Sequence, residues 1–208
     1  MKVIKHTKFI WEYEGLITPE ECDEFYSLFE KTDVELITEF RSHERDNNTY
    51  DVTPHRELDG LAWQMMSKVH HSYIADNTWM WYKWDRSMLA DMAWYGKNIF
   101  RTYDKNDSYQ WHQDHSFYNV PEVSYIIYLN DEYEGGSTMF MHDKLKVVPK
   151  KANVVCFPVD NYHIHKSSRI TSGNKMILWN CMFRKLVHKL QGGEEIDDYK
   201  VNTSPNIW

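Results

Sequence analysis

Two side chains near the middle of the chain, His112 and Asp114, have the types and the spacing of a metal-ligand pair. Alternate residues of a β-strand project from the same face, about 6–7 Å apart at Cα, so both could reach one ion. The triplet alone is weak support, because a chain with 11 His and 31 acidic residues can contain one by chance. A metal site therefore needs a third ligand from elsewhere in the sequence.

A third ligand is available downstream, in the segment YHIHKSSRITSGNK at 162–175. His163 and His165 share one face of a strand, so strand alternation does not choose between them. A Ser-Gly turn follows, which would bring Lys175 back beside His165 in an antiparallel hairpin. Two His, one carboxylate and a nearby cation resemble the facial triad of non-haem Fe(II) oxygenases, with the cation suited to a carboxylate-bearing co-substrate.

The elements that must position these residues differ between the two parts of the chain. Thr18-Pro19-Glu20-Glu21 is a capping box, which predicts a helix over about 18–31. A second helix is predicted over about 56–75, because apolar residues recur at helical spacing. These residues are Leu58, Leu61, Ala62, Met65, Met66 and Val69. The stretch 34–54 has no clear period, and we interpret it as a loop with room for one strand.

After residue 94 the sequence consists of short β-prone runs separated by turn signals such as Gly135-Gly136. The runs lie at about 94–103, 109–116, 123–129, 137–142, 145–148, 153–157, 162–168 and 175–184. We predict a mainly β fold with helical support: a double-stranded β-helix (jelly-roll) core backed by N-terminal helices. We expect one domain over 1–208, with helical support at about 1–93, a catalytic β core at about 94–186 and a C-terminal tail at about 187–208.

The segment 99–184 resembles the catalytic core of the 2-oxoglutarate/Fe(II) dioxygenases, and within them the prolyl 4-hydroxylase-like branch. The landmarks of that branch occur here as Tyr103, Tyr109, His112-x-Asp114, YLND at 128–131, EGGSTMF at 134–140, VVPKKANVVCF at 147–157, and His165 followed by Gly173 and Lys175. Two positions depart from the pattern. Residues 104–108 replace a Gly-rich stretch, and Ala152 replaces the usual Gly.

The resemblance implies a role for each matching residue. The implied iron ligands are His112, Asp114 and His165, and His165 is preferred to His163 by its ten-residue offset from Lys175. Lys175 would pair with the distal carboxylate of 2-oxoglutarate, and Tyr103 would hydrogen-bond this co-substrate. Thr138 is a lesser candidate on a pocket-lining strand. Fe(II), 2-oxoglutarate and O₂ are thus the implied cofactors, with ascorbate as a candidate reductant.

The implied activity is hydroxylation of a C–H bond, with 2-oxoglutarate converted to succinate and CO₂. Lysine at 175 is typical of hydroxylases of peptidyl proline, so a peptide or protein substrate is favoured over a small molecule. Three alternatives remain: the same chemistry on a free amino acid, small metabolite or nucleobase; a cupin-like metalloenzyme without 2-oxoglutarate; or a non-catalytic jelly-roll metal-binding module. The aromatic run 79–84 could bind peptide or pack on the β-core, and Arg169 could contact substrate.

Charge and composition restrict the partners and the compartment. The net charge of −7 argues weakly against nucleic acid or anionic membrane, because phosphate binding needs basic patches. No 18-residue apolar run is present to span a membrane. The first residues lack the apolar region of a signal peptide, and Cys22, Cys156 and Cys181 are unclustered. We therefore expect a cytoplasmic protein.

Overall fold

A computed structural model describes residues 1–41, 45–77, 93–114 and 121–184. Within these ranges the helices are α1 (Pro19–Lys31) and α2 (Arg56–Asp76). The strands are β1 (Lys2–Lys5), β2 (Trp11–Glu14), β3 (Leu36–Arg41), β4 (Asp46–Asp51), β5 (Ala93–Tyr95), β6 (Ile99–Tyr103), β7 (Tyr109–His112), β8 (Pro121–Tyr128), β9 (Glu134–Gly135), β10 (Thr138–Phe140), β11 (Leu145–Val147), β12 (Val154–Pro158), β13 (His165–Ser167), β14 (Ile170–Ser172) and β15 (Lys175–Arg184). The tail at 187–208 and the aromatic run at 79–84 lie outside the described residues.

Both predicted helices are confirmed. The capping box at α1 is complete, because the Glu21 amide donates to Thr18 Oγ1 (3.2 Å) and the Thr18 amide donates to Glu21 Oε2 (3.0 Å). The apolar stripe of α2 is buried, although Leu61 is only partly so. Neither helix is long and apolar enough to cross a membrane, a finding that covers only the described residues.

Antiparallel sheets account for the rest of the fold. The largest has the strand order β1-β2-β12-β8-β15-β6-β4-β3, with β5 also paired to β15. A second sheet has the order β11-β10-β13-β7, and β14 pairs with β9. The helices pack on one face of the large sheet and the smaller sheets on the other. This arrangement confirms the predicted mainly β jelly-roll backed by helices.

Strand alternation divides the interior into two apolar clusters. On β8, Tyr125 and Ile127 join α1 and α2 in one cluster, whereas Ile126 and Tyr128 face the smaller sheets in the other. Neighbouring β15 alternates in the same way, with Leu178 on the helical side. The second face of the large sheet is therefore the floor of any site between the sheets.

The interpretation of 34–54 as a loop with one strand is wrong. The strands β3 and β4 form a hairpin there, and β4 extends the large sheet through β6. Polar residues occupy the inward positions of β4, because Asn47 and Thr49 are buried. Sequence alternation therefore gives no apolar signal, while the backbone pairing that forms the strand does not depend on it.

Several strand boundaries also differ from the prediction. The run at 94–103 is two strands separated at 96–98, and the run at 109–116 ends as a strand at His112. The strands β1, β2 and β14 were not predicted. They have three or four residues each, which is too short for a period-two pattern to be distinguished.

We expect two glycine substitutions to change the free energy of unfolding in opposite directions. Gly135 has φ +87°, and a Cβ there would lie 2.1 Å from the Arg169 carbonyl oxygen. Gly135→Ala should therefore lower the free energy of unfolding by at least about 1–2 kcal/mol. Gly60 lies in α2 with no heavy atom within 4 Å of an added Cβ, so Gly60→Ala should raise it by about 0.5–1 kcal/mol. Urea denaturation measures both. Wild-type stability in Gly135→Ala would contradict the strained contact between β9 and β14.

Candidate functional site

His112, Asp114 and His165 converge between the two larger sheets. Antiparallel pairing of β7 with β13 places His112 directly opposite His165, and the centroids of their rings are 4.2 Å apart. Asp114 follows two residues after the end of β7, and its carboxylate oxygens lie 3.5 Å from Nε2 of each histidine. One potential ligand atom from each residue lies within 4.8 Å of the other two. This geometry suits a single metal ion.

Backbone hydrogen bonds set the tautomers of both histidines. Nδ1 of His112 donates to the carbonyl of Gln110 (2.7 Å), and Nδ1 of His165 donates to the carbonyl of His163 (3.1 Å). Each Nε2 is therefore left with a lone pair for a metal. Burial and the neighbouring His112 lower the pKa of His165 to about 4, against the opposing effect of Asp114. His165 is consequently neutral, the form that binds metals, at physiological pH.

The Asp114 carboxylate is held from the floor of the site. Its Oδ2 accepts hydrogen bonds from Ser124 Oγ (2.8 Å) and Trp179 Nε1 (3.3 Å). Burial alone would raise the pKa of Asp114, but His165 and His112 outweigh it and hold the pKa well below its usual range. An ionised carboxylate with two neutral imidazoles is the donor set of non-haem Fe(II) sites, so these residues fit the ion.

Lys175 supplies a buried cation to the same pocket. It lies opposite Tyr103 in the pairing of β15 with β6, and only 1% of it is exposed. Its Nζ donates to the Gly136 carbonyl (2.7 Å) and to Ser167 Oγ (2.9 Å). No carboxylate pairs with it among the described residues, and burial lowers its pKa to about 7. A carboxylate that entered the pocket could therefore form an ion pair with this ammonium group.

The six residues to which the resemblance gives a role all line one pocket, which opens to solvent. They are His112, Asp114, His165, Lys175, Tyr103 and Thr138. The pocket is also lined by Arg101, Tyr109, Ile126, Lys166, Ser167, Ile177 and Trp179. The structure thus brings together residues separated by up to 72 positions, from Tyr103 to Lys175.

The ring of His163 does not take part in this cluster. Its Nδ1 bonds to Asp160 (2.7 Å), and the ring packs edge-on against Phe9 at a centroid distance of 5.9 Å. Only its backbone carbonyl reaches towards the site, through His165 Nδ1. Two further histidines are also separate from the cluster, since the ring of His142 stacks on Tyr162 and His55 is the N-cap residue of α2.

The expectation that His165 and Lys175 lie on paired strands is wrong. The turn containing Gly173 (φ +76°) leads from β14 into β15, which belongs to the large sheet. The strand of His165, β13, instead pairs with β10 and β7. Lys175 approaches β13 across the space between the sheets and contacts Ser167, because the chain changes sheets at this turn.

Sequence reasoning missed Arg101, Trp179 and Ser124 as site residues. Alternation from Tyr103 on β6 would have pointed to Arg101, and alternation from Lys175 on β15 to Trp179. Arg45 was also missed, because it lies in the stretch taken as a loop. Its guanidinium carbon is 4.7 Å from the ring centroid of Tyr109, which itself stacks on His112 at 3.5 Å.

Comparison with known proteins agrees with this geometry. Residues 99–183 match the family described as the 2OG-Fe(II) oxygenase superfamily. The chain is therefore similar to this superfamily over the segment that forms the site. The matched segment contains all three candidate iron ligands and Lys175. No curated protein sequence matches the chain.

Solved structures show that the chain shares its fold with prolyl hydroxylases. A viral collagen prolyl hydroxylase from Paramecium bursaria Chlorella virus-1, in complex with 2OG, is 18% identical, with a TM-score of 0.65 over 84% of this chain and 96% of that one. A prolyl-4-hydroxylase from Pseudomonas putida is 15% identical, with a TM-score of 0.63 over 85% and 92%. A Trichoplax adhaerens prolyl hydroxylase in complex with a hypoxia inducible factor peptide is 13% identical, with a TM-score of 0.65 over 85% and 84%.

We predict that the two histidines of β13 and its preceding loop differ in metal binding. His165→Ala should weaken Mn(II) binding by more than about a hundredfold, because it removes a direct ligand. His163→Ala should stay within about threefold of wild type, because its backbone carbonyl still orients His165. Anaerobic calorimetry measures both affinities. Equal losses would show that the ring of His163 is needed for metal binding and would overturn the ligand assignment.

Proposed function

We propose that this protein binds Fe(II) through His112, Asp114 and His165, and binds 2-oxoglutarate between that ion and Lys175. The observation that carries the proposal is the buried ammonium of Lys175 in the same pocket as the His-Asp-His cluster, with no carboxylate paired to it among the described residues. A dicarboxylate that reaches both the ion and Lys175 satisfies two charged groups at once.

Each protein group has a distinct part in this proposal. When bound, Fe(II) supplies the redox chemistry that couples O₂ and decarboxylation of 2-oxoglutarate to hydroxylation of a substrate C–H bond. Tyr103 and Thr138 would orient the co-substrate with their hydroxyls. Thr138 Oγ1 is itself fixed by the hydroxyl of Tyr128 at 2.7 Å. The apolar side chains of Ile126 and Ile177 would exclude water beside the reacting groups.

We infer that the substrate is a peptidyl side chain, with proline as the leading candidate and ascorbate as the candidate reductant. Lysine at 175 and the fold shared with prolyl hydroxylases, one of them in complex with a peptide, support this choice. The same chemistry on a free amino acid or other small molecule is the second candidate, because the pocket wall carries a further charged residue, Arg101. A non-catalytic module is disfavoured, since the cluster and the buried cation are both intact.

The proposal predicts a charge-transfer band in visible light when 2-oxoglutarate is added to the Fe(II)-loaded protein without oxygen. Lys175→Met should need about ten to a hundred times more 2-oxoglutarate for half-saturation, because it removes a charged hydrogen-bond donor. Its affinity for Fe(II) should be unchanged. Lys150→Met, which alters an exposed lysine, is the matched control and should behave as wild type. The proposal fails if iron binds to wild type and no saturable band develops.

A second prediction concerns pH. With a pKa of about 7 in the free protein, Lys175 is increasingly neutral above pH 7, and pairing with a carboxylate requires its protonated form. Binding of 2-oxoglutarate should therefore take up a proton above about pH 7, and its affinity should fall by up to about tenfold per pH unit. Calorimetry of the Mn(II) form in buffers of different ionisation enthalpy measures the uptake. Lys175→Met should lose this dependence, and a flat wild-type profile would contradict the role of Lys175.

A further inference from the structure

Arg101 is a buried cation with little compensation in the described part of the chain. It lies two residues before Tyr103 on β6, faces the same pocket, and is only 7% exposed. Its guanidinium carbon lies 4.5 Å from the ring centroid of Trp179. Among the described residues, its buried Nε has no hydrogen-bond acceptor. A buried polar group in this state is costly unless a ligand supplies the acceptor.

The charges of the proposed metal ion, of 2-oxoglutarate and of the residues that bind them cancel without Arg101, whose positive charge stays unbalanced. Asp114 and one carboxylate of 2-oxoglutarate balance a divalent ion, and the other carboxylate balances Lys175. Asp114 interacts with Arg101 electrostatically, but its carboxylate is directed to the two histidines and held by Ser124 and Trp179. The positive charge of Arg101 therefore requires a further anion once metal and co-substrate are bound.

A second arginine increases the positive potential at this end of the pocket. The guanidinium of Arg45 donates to Thr49 Oγ1 at 3.1 Å, and Thr49 lies directly opposite Arg101 in the pairing of β4 with β6. Burial and the charge of Arg101 together lower the pKa of Arg45 to about 10, so Arg45 remains charged at neutral pH. Two guanidinium groups this close repel each other, and an anion between them relieves the repulsion.

The position of Arg101 separates it from the co-substrate clamp. Its guanidinium lies over the ring of Trp179. Trp179 and Lys175 are four residues apart on β15, so their Cα atoms are separated by about 13 Å along the strand. Asp114 accepts a hydrogen bond from Trp179, whereas Lys175 contacts Ser167, two residues from His165. The guanidinium of Arg101 therefore lies at the Asp114 and Trp179 end of the pocket, away from the ammonium of Lys175.

We propose that Arg101, with Arg45 beside it, binds a carboxylate of the substrate and so determines its class. This inference rests on the proposed function and narrows its substrate. A guanidinium binds carboxylate through two parallel hydrogen bonds, and stacking on the ring of Trp179 fixes its plane. The carboxylate could be that of a free amino acid or of an acidic side chain in a peptide, and the same chemistry recognises both.

The test uses the Mn(II) form saturated with 2-oxoglutarate, which binds ligands without turnover. Calorimetry compares L-proline with L-prolinamide, and acetyl-Glu-Pro-Gly-amide with acetyl-Gln-Pro-Gly-amide. We expect the carboxylate member of at least one pair to bind about tenfold or more tightly. Preference within the first pair identifies a free amino acid, and preference within the second identifies an acidic peptide. The inference is overturned if neither pair shows a preference, or if no probe binds.

Variants assign the preference to Arg101. Arg101→Gln should reduce the preference for the carboxylate probe over its amide to less than about threefold, while Arg101→Lys should keep part of this preference. Arg56→Gln, which alters an exposed arginine at the start of α2, should retain all of it. If Arg101→Gln weakens the binding of 2-oxoglutarate as much as the binding of the carboxylate probe, Arg101 binds the co-substrate and the inference is wrong. If wild type does not bind 2-oxoglutarate at all, the proposed function fails instead, so the two failures are distinct.

Discussion

The ionised carboxylate of Asp114, buried between two β-sheets, is the constraint on which the centre depends. Burial by itself would neutralise it, and a neutral carboxyl is a poor metal ligand. Hydrogen bonds from Ser124 and Trp179 and the positive charge of Arg101 favour the ionised form, and His165 and His112 lower the pKa of Asp114 further when they are protonated. Ser124 lies on β8 and Trp179 on β15, so the ligand is stabilised by two strands at the centre of the large sheet. An apolar residue at position 124 would remove the shorter of these two hydrogen bonds.

This arrangement gives the two faces of the large sheet different tasks. The inner face carries polar groups at β6, β8 and β15, whereas the outer face must be covered by the helices. A buried polar contact joins α2 to the sheet, where His70 Nδ1 lies 2.9 Å from the hydroxyl of Tyr125. Burial lowers the pKa of His70 to about 3, so the contact is neutral and adds no charge behind the candidate metal site. The helices can therefore stabilise the sheet without disturbing the electrostatics of the centre.

The extent to which the sequence predicts this site follows from how local each signal is. His112 and Asp114 are two residues apart, and the resemblance supplies the spacing from His165 to Lys175, so the residues of the cluster can be identified without a structure. The contact of Lys175 with Ser167 cannot be predicted from the sequence, because a turn does not reveal which sheet the next strand will join. Arg45 was hidden because β4 buries polar side chains at its inward positions. Trp179 could be predicted as a site residue only by knowing which face of β15 lies towards the His-Asp-His cluster.

The order of charges in the pocket is set by strand register. Lys175 and Trp179 lie on β15 opposite Tyr103 and Ile99 of β6, so pairing of these two strands fixes both ends of the pocket. A slip of one residue would turn the whole set towards the helices, because alternate side chains face opposite sides of a sheet. Charge positions that depend on a central strand pair are more rigid than positions on loops. On the proposed role of Arg101, the choice of substrate depends on an inward position of β6, whereas His112 and His165 lie on the separate strands β7 and β13.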